Sequence, residues 1–279
     1  MNLALLDRDA KNLNSAVNTL KAEGDTSSGV KTEGYPIDVG KLPDWKSVSD
    51  SYSSTFGSTI DLLLLNAGHG PPAKTDQKWL DVDYFHNTLD TNLFGVVNGI
   101  ATFLPFVQKS TGPSAIVVTG SKQGITNPPG NPAYNASKAA VKLLAEHLAH
   151  DLRTSGNPSY APQTSVHLLI PGWTYTGLSG NAGPDNAEAR AKKPAGAWLP
   201  EECAEYGEKG MKEGKFYLIC PDNDVDEALD QARMTWQMGD VVESRSPLSR
   251  WDEKFKDDAK MWIDGEAEKR RNMMLQREV

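Results

Sequence analysis

Apolar residues along the chain change their spacing from segment to segment, and the changes mark out alternating strands and helices. Met1–Asp7 is a short apolar run that ends in an acid, the pattern of a buried strand. In the stretch that follows, Leu13, Val17 and Leu20 recur at helical spacing, and the pattern stops at Gly24. Val30–Val39 reads as a second strand ending at Asp38, and Trp45, Val48 and Tyr52 then share one face of a second helix. The run TIDLLLLNAG, Thr59–Gly68, is unbroken in its apolar character, as expected of a strand covered on both faces. A long helix is predicted over Tyr84–Val107, closed in the Pro105 region, followed by a buried strand over Ser114–Ser121. A helix carrying Tyr134 runs to about Arg153, and Thr164–Gly172 and Lys215–Cys220 complete the strands. Strands alternating with helices predict an α/β fold with a doubly wound parallel sheet.

Two stretches stand apart from this pattern. Gly177–Gly214 is rich in Gly, Pro and Asn and weak in periodicity, so it reads as a mobile surface insertion, a lid over a ligand site. From Trp251 onward the chain is dense in charges of both signs and reads as a solvated helical tail. The expected organisation is one domain over residues 1–250, including the 177–214 insertion, and a tail over 251–279.

Length and charge narrow the classes. A single α/β domain can reach 279 residues. A net charge of −8 argues against a nucleic-acid partner, since phosphate contacts need clustered Lys and Arg. Two cysteines, Cys203 and Cys220, lack metal-like spacing, so no metal site and no disulfide framework are expected, and a reducing compartment fits. No apolar run approaches the ~18 residues of a membrane span, and the start is not signal-like, which predicts a cytoplasmic protein with no membrane partner.

The candidate chemistry lies in NPAYNASKAAVKLL. Tyr134 and Lys138 are i, i+4 neighbours, so a helix stacks them on one face. An ammonium near a phenol favours the phenolate and draws down a pKa that is normally about 10. That makes Tyr134 a proton donor and acceptor. The plainer reading is a Tyr–Lys pair on a solvated face. Ser121 lies thirteen residues earlier, at the end of a buried strand, where the carboxyl ends of a parallel sheet line the ligand crevice. Asn92 is a polar residue among Leu93, Phe94, Val96 and Val97. Their plainer readings are a turn-capping serine and a locally satisfied amide.

Together LNAG at 65–68, TNLFG at 91–95, Ser121, YNASK at 134–138 and PGWTYTG at 171–177 resemble the short-chain dehydrogenase/reductase family, in its order and spacing, from Asn2 to Cys220. The resemblance implies a Rossmann-like fold and an NAD(P)-dependent oxidoreductase that interconverts a secondary alcohol and a ketone. It implies Tyr134 as general acid/base, and Lys138 lowering the tyrosine pKa and holding the nicotinamide ribose. Ser121 would polarise the substrate oxygen, and Asn92 would hold a relay water. Asn66, Ala67 and Gly68 would line the cofactor, Asp38 and Val39 would meet the adenine, and Pro171, Gly172 and Thr176 would meet the nicotinamide end. Asp7, after the strand that corresponds to the family's second, favours NAD over NADP, while the adjacent Arg8 leaves NADP open. The helices over Tyr84–Val107 and Ala133–Arg153 would form the interface of a homodimer or homotetramer. Trp173, Tyr175 and Trp198 suggest an apolar or aromatic small-molecule substrate.

One departure from the family pattern is large. The family begins with a strand, a loop of the form TGxxxGxG and a helix; here the first strand matches the family's second and no glycine precedes Gly24. The Rossmann-like sheet is therefore expected to be N-terminally incomplete. The pyrophosphate would lack its helix N-terminus, and the strand that normally lies between Asn2–Leu6 and Leu62–Leu65 would be missing. Weak dinucleotide binding is expected. The alternative is a cofactor-independent or non-catalytic small-molecule-binding protein on the same fold.

Overall fold

The computed structural model describes residues 1–23, 29–179 and 187–277. Gly24, read above as a helix stop, and residues 180–186 of the 177–214 insertion lie outside them. The chain alternates as its pattern predicts. β1 (Leu3–Asp7), α1 (Ala10–Glu23), β2 (Thr32–Pro36), α2 (Leu42–Phe56) and β3 (Leu62–Leu65) lead to α3 (Val82–Leu89) and α4 (Gly95–Gln108). β4 (Ser114–Thr119), α5 (Gln123–Thr126), α6 (Pro132–Arg153) and β5 (Thr164–Ile170) follow. The chain ends with α7 (Ala187–Ala191), α8 (Pro200–Lys212), β6 (Tyr217–Ile219), α9 (Glu227–Val242) and α10 (Lys256–Arg277). The pairings β1–β2, β3–β4 and β5–β6 are parallel. The sheet comes in two pieces, β1-β2 and β3-β4-β5-β6, so β1 and β3 are both edge strands.

Two compact units divide the chain. The first holds Met1–Val118 and Ala145–Val166, the second Thr119–Leu144 and His167–Val279. In the first, Leu13 and Val17 press α1 onto Gly34 of β2, and Trp45 of α2 meets Phe103 of α4 edge to face. Both faces of β3 were expected to be covered, yet its burial alternates. Leu63 and Leu65 are buried, while Leu62 is 37% and Leu64 59% exposed. The reason is a cavity of about 580 Å³ beside the strand, lined by all four of these leucines and by Leu3, Ala4 and Leu6 of β1.

In the second unit the end of β5 pairs with β6, Leu168 opposite Tyr217 and Ile170 opposite Ile219. α8 is a helix that periodicity did not reveal, because its buried stripe is Cys203, Gly207 and Gly210 rather than large apolar residues. Gly207 packs against Leu169, and a β-carbon at Gly210 would run into Leu218. These glycines read as breakers but serve close approach to the sheet. α10 is helical as expected, but it is not solvated all round. Ala259 and Ile263, with Ala267 one turn further, form a buried stripe against Ala232 and Trp236 of α9.

Candidate active site

The second unit assembles Ser121, Tyr134 and Lys138 from the end of β4 and the first turns of α6. Asn131 starts α6, its side-chain oxygen accepting the Tyr134 N–H at 3.4 Å, and Pro132 takes the first helical position, where a missing N–H costs nothing. Asn135 donates to Asn127 Oδ1 at 3.1 Å and to the Pro128 carbonyl at 2.6 Å, which ties the helix start to the turn before it. α5 presses directly on α6: a β-carbon at Gly124 would lie 2.6 Å from the Lys138 carbonyl carbon. That approach brings the Ser121 turn to the Tyr134 side of the helix.

Lys138 Nζ lies 5.9 Å from the Tyr134 ring centroid and donates to the Thr119 carbonyl at 2.7 Å. Burial pulls the lysine down to about 8. Burial also raises the Tyr134 phenol above its ordinary value, and a hydrogen bond with Ser121 pulls it partly back. This corrects one sequence expectation. The ammonium was to draw the phenol down, but it is turned to the Thr119 carbonyl and is itself desolvated; the group that acts on the phenol is Ser121.

The Pro171–Thr176 loop belongs to the same unit. The Lys122 N–H donates to the Pro171 carbonyl at 3.3 Å, linking the residue after Ser121 to that loop. Gly172 is glycine for a reason, since a β-carbon there would overlap the Asp222 carboxylate. Trp198 N–H donates to Trp173 O and Tyr175 N–H to Trp198 O, both at 2.8 Å, so a short bridge gathers the three candidate wall residues. Only part of that expectation survives. Trp173 is open to solvent, whereas Tyr175 is buried as plain core. Thr176, of the candidate nicotinamide end, is half-buried in this loop.

The remaining candidates lie in the first unit. Asn92 is fully buried and sits in a π-helical turn, Asp90–Phe94, between α3 and α4. Such turns insert an extra residue into a helix and recur at functional sites. Its side-chain oxygen accepts the His69 N–H at 2.8 Å and its Nδ2 donates to the His69 carbonyl at 2.9 Å, so the amide fixes the chain just past Gly68. Asp7, Val39, Asn66 and Ala67 come together in the lining of the 580 Å³ cavity; Asp38 and Gly68 are not part of that lining. Asp7 Oδ1 also accepts the Asp9 N–H at 2.8 Å, while Asp38 Oδ1 takes the Gly40 N–H at 3.0 Å. Val39 O receives Trp45 Nε1 and Asn98 Nδ2.

The cavity lining holds two carboxylates, Asp7 and Asp61, and neither a lysine nor an arginine. Carboxylates suit ribose hydroxyls and repel a pyrophosphate, so the lining fits the first and not the second. Sequence reasoning missed the contributions of Gly124, His69, Lys122 and Asp222, and none of them carries a motif. Among the described residues no group of three or more His, Cys, Asp or Glu could hold a metal, and no helix is long and apolar enough to cross a membrane.

Comparison with known proteins shows which family the chain belongs to. The short chain dehydrogenase family pattern matches residues 1–187. An uncharacterized oxidoreductase of Listeria monocytogenes is 33% identical over 155 residues, 55% of this chain and 58% of that protein. Human 17-beta-hydroxysteroid dehydrogenase type 1 is 36% identical over 106 residues, 38% of this chain and 31% of its own. The chain thus spans less than two thirds of the length of these relatives. A short chain dehydrogenase/reductase from Burkholderia phymatum, solved in complex with NAD, superposes with a TM-score of 0.71 at 25% identity, covering 88% of this chain and 87% of that one. The chain belongs to the short chain dehydrogenase family.

Proposed function

We propose that the chain acts as an NAD(P)-dependent oxidoreductase on a secondary alcohol and its ketone, with Tyr134 as general acid and base. The observation that carries this reading is the placement of Ser121 beside the half-buried Tyr134 phenol, whose pKa it pulls down, with Lys138 buried one turn along α6. A bound nicotinamide would supply or accept the hydride. As a ketone is reduced, its oxygen gains alkoxide character, and two hydroxyl donors placed together stabilise that charge. The Tyr134 O–H then gives up its proton, and the raised phenol pKa keeps it protonated for that step at neutral pH. Lys138 is the donor for the nicotinamide ribose, and Asn92 holds the relay water. Asp7 favours NAD, with NADP admitted by Arg8. The exposed Trp173 supports an apolar or aromatic small-molecule substrate, as does the hydroxysteroid dehydrogenase among the relatives. Exposed Phe94, Val97 and Leu143 support a homodimer or homotetramer, and the reading assigns the protein to the cytoplasm without nucleic-acid or membrane partners. Tyr134→Phe tests the assignment: carbonyl reduction should vanish while circular dichroism stays unchanged, and activity within a few-fold of the parent would sink it.

The cavity favours a second reading, a small-molecule-binding protein that uses no dinucleotide. A pyrophosphate there would meet Asp7 and Asp61 with no lysine or arginine in the lining to offset them, which disfavours binding. This chain should therefore bind NAD(H) weakly or not at all. Calorimetry decides between the readings, because a dissociation constant in the low-micromolar range would overturn the second.

A further inference from the structure

Directly after Ser121 stands a second buried lysine. Lys122 Nζ lies 2.6 Å from Asp230 Oδ2 and 3.4 Å from Asp222 Oδ1, and the three side chains are only 11%, 3% and 14% exposed. An ammonium taken out of water in this way is costly unless carboxylates compensate it, and removing one partner leaves an uncompensated buried charge. Burial raises the Asp230 carboxyl, and Lys122 pulls it back down.

Each member of the triad belongs to a different part of the second unit. Asp230 projects from the first turns of α9, which packs against α5. Asp222 follows β6, accepts the Trp173 N–H on Oδ1 at 3.0 Å and fills the space that Gly172 leaves. Lys122 begins the turn in which the Gln123 N–H donates to Ser121 Oγ at 3.2 Å, and its own N–H donates to Pro171 O. The ammonium therefore pins the backbone on one side of Ser121, while its partner Asp222 holds the Pro171–Trp173 loop.

We propose that Lys122, clamped by Asp222 and Asp230, is a positioning residue that holds the Ser121 hydroxyl on the Tyr134 phenol and locks the adjoining loop to it. The proposal rests on reading Ser121 and Tyr134 as the reacting pair, and its test needs no turnover. The chain is labelled with 3-fluorotyrosine and the Tyr134 resonance, assigned with Tyr134→Phe, is titrated by ¹⁹F NMR.

Ser121→Ala should raise the midpoint by about half a unit to one unit, the size of one hydrogen bond. Lys122→Met should raise it as far, with no further rise when the two are combined, and Lys122→Arg should restore much of the parent value. Asp222→Asn separates positioning from simple charge. Loss of positioning raises the midpoint, whereas loss of a nearby negative charge lowers it. The resonances of the other seven of the 8 tyrosines report whether each variant is folded, and Asp222→Asn carries the test should Lys122→Met not fold. A Lys122→Met shift that persists in the Ser121→Ala background, an unmoved midpoint, or a lowered midpoint in Asp222→Asn overturns the proposal. An unmoved midpoint in Ser121→Ala would instead remove the Ser121–Tyr134 pair itself, and the proposal with it.

Discussion

The turn around Ser121, Tyr134 and Lys138 and the lining between β1 and β3 are both made of strand ends and helix starts, yet they differ in closure. Around Tyr134 glycine lets α5 touch the α6 backbone, and lysine and phenol are desolvated enough to shift their protonation. Around the cavity, two edge strands line an open volume, leucines meet solvent, and two carboxylates stand without a basic residue in the lining. Proton chemistry requires desolvation, which packing supplies; a pyrophosphate requires positive potential, which this lining, with Asp7 and Asp61 and no lysine or arginine, does not supply. The two requirements are met by different segments of chain, so one can be present without the other.

Lys138→Met probes the closed region most strongly. The lysine's pKa lies at about 8 in the folded chain, below its ordinary value of 10.5, so folding is penalised while the group must be charged. The sign follows: the penalty is full below about pH 8 and fades as pH rises to 10.5, because the unfolded chain binds more protons over that window. The variant should gain up to about 3 kcal/mol at pH 7, less the cost of a Thr119 carbonyl short of one donor, and lose that gain by pH 10.5. Urea melts at several pH values measure it; a gain that does not change with pH would show that Lys138 is not held desolvated.

A smaller effect is expected at Gly124. A β-carbon there meets the Lys138 carbonyl carbon and oxygen at 2.6 and 2.8 Å, and backbone cannot swing aside as a long side chain can. Gly124→Ala should cost about 1–3 kcal/mol and reduce any carbonyl reduction. An unchanged melting curve would mean that the α5–α6 contact is looser than described.

The smallest effect belongs to the open region. Leu64 is 59% exposed toward the cavity, so Leu64→Ser should change stability by no more than about 0.5 kcal/mol. A loss of several kcal/mol in the melt would mean that the cavity closes in solution.

Much of this was legible in sequence. β5, β6 and α6 follow from apolar runs and helical spacing. Tyr134, Lys138 and Ser121 stand at readable spacings, and Asn92 stood out as a polar residue among apolar neighbours. The π turn that carries Asn92 was not readable, because its side-chain pattern differs from a regular helix by one residue. α8 was hidden because glycines make its buried face. The direction of the Tyr134 shift was misjudged because spacing fixes which residues share a helix face but not how deeply either is desolvated. Lys122 was invisible because its two carboxylates lie a hundred residues further along the chain, after β6 and in α9.

Open strand edges also govern how copies of this chain meet one another in solution. Among the described residues β1 and β3 each present one side with no strand beside it, and Leu62 and Leu64 add an apolar margin to the second. Backbone groups on such an edge are a template for any extended segment, including one from another copy. A net charge of −8 opposes that encounter by mutual repulsion, and salt screens the repulsion within a Debye length of about 8 Å at physiological ionic strength. Solubility of this chain is therefore tied to ionic strength, falling as salt rises.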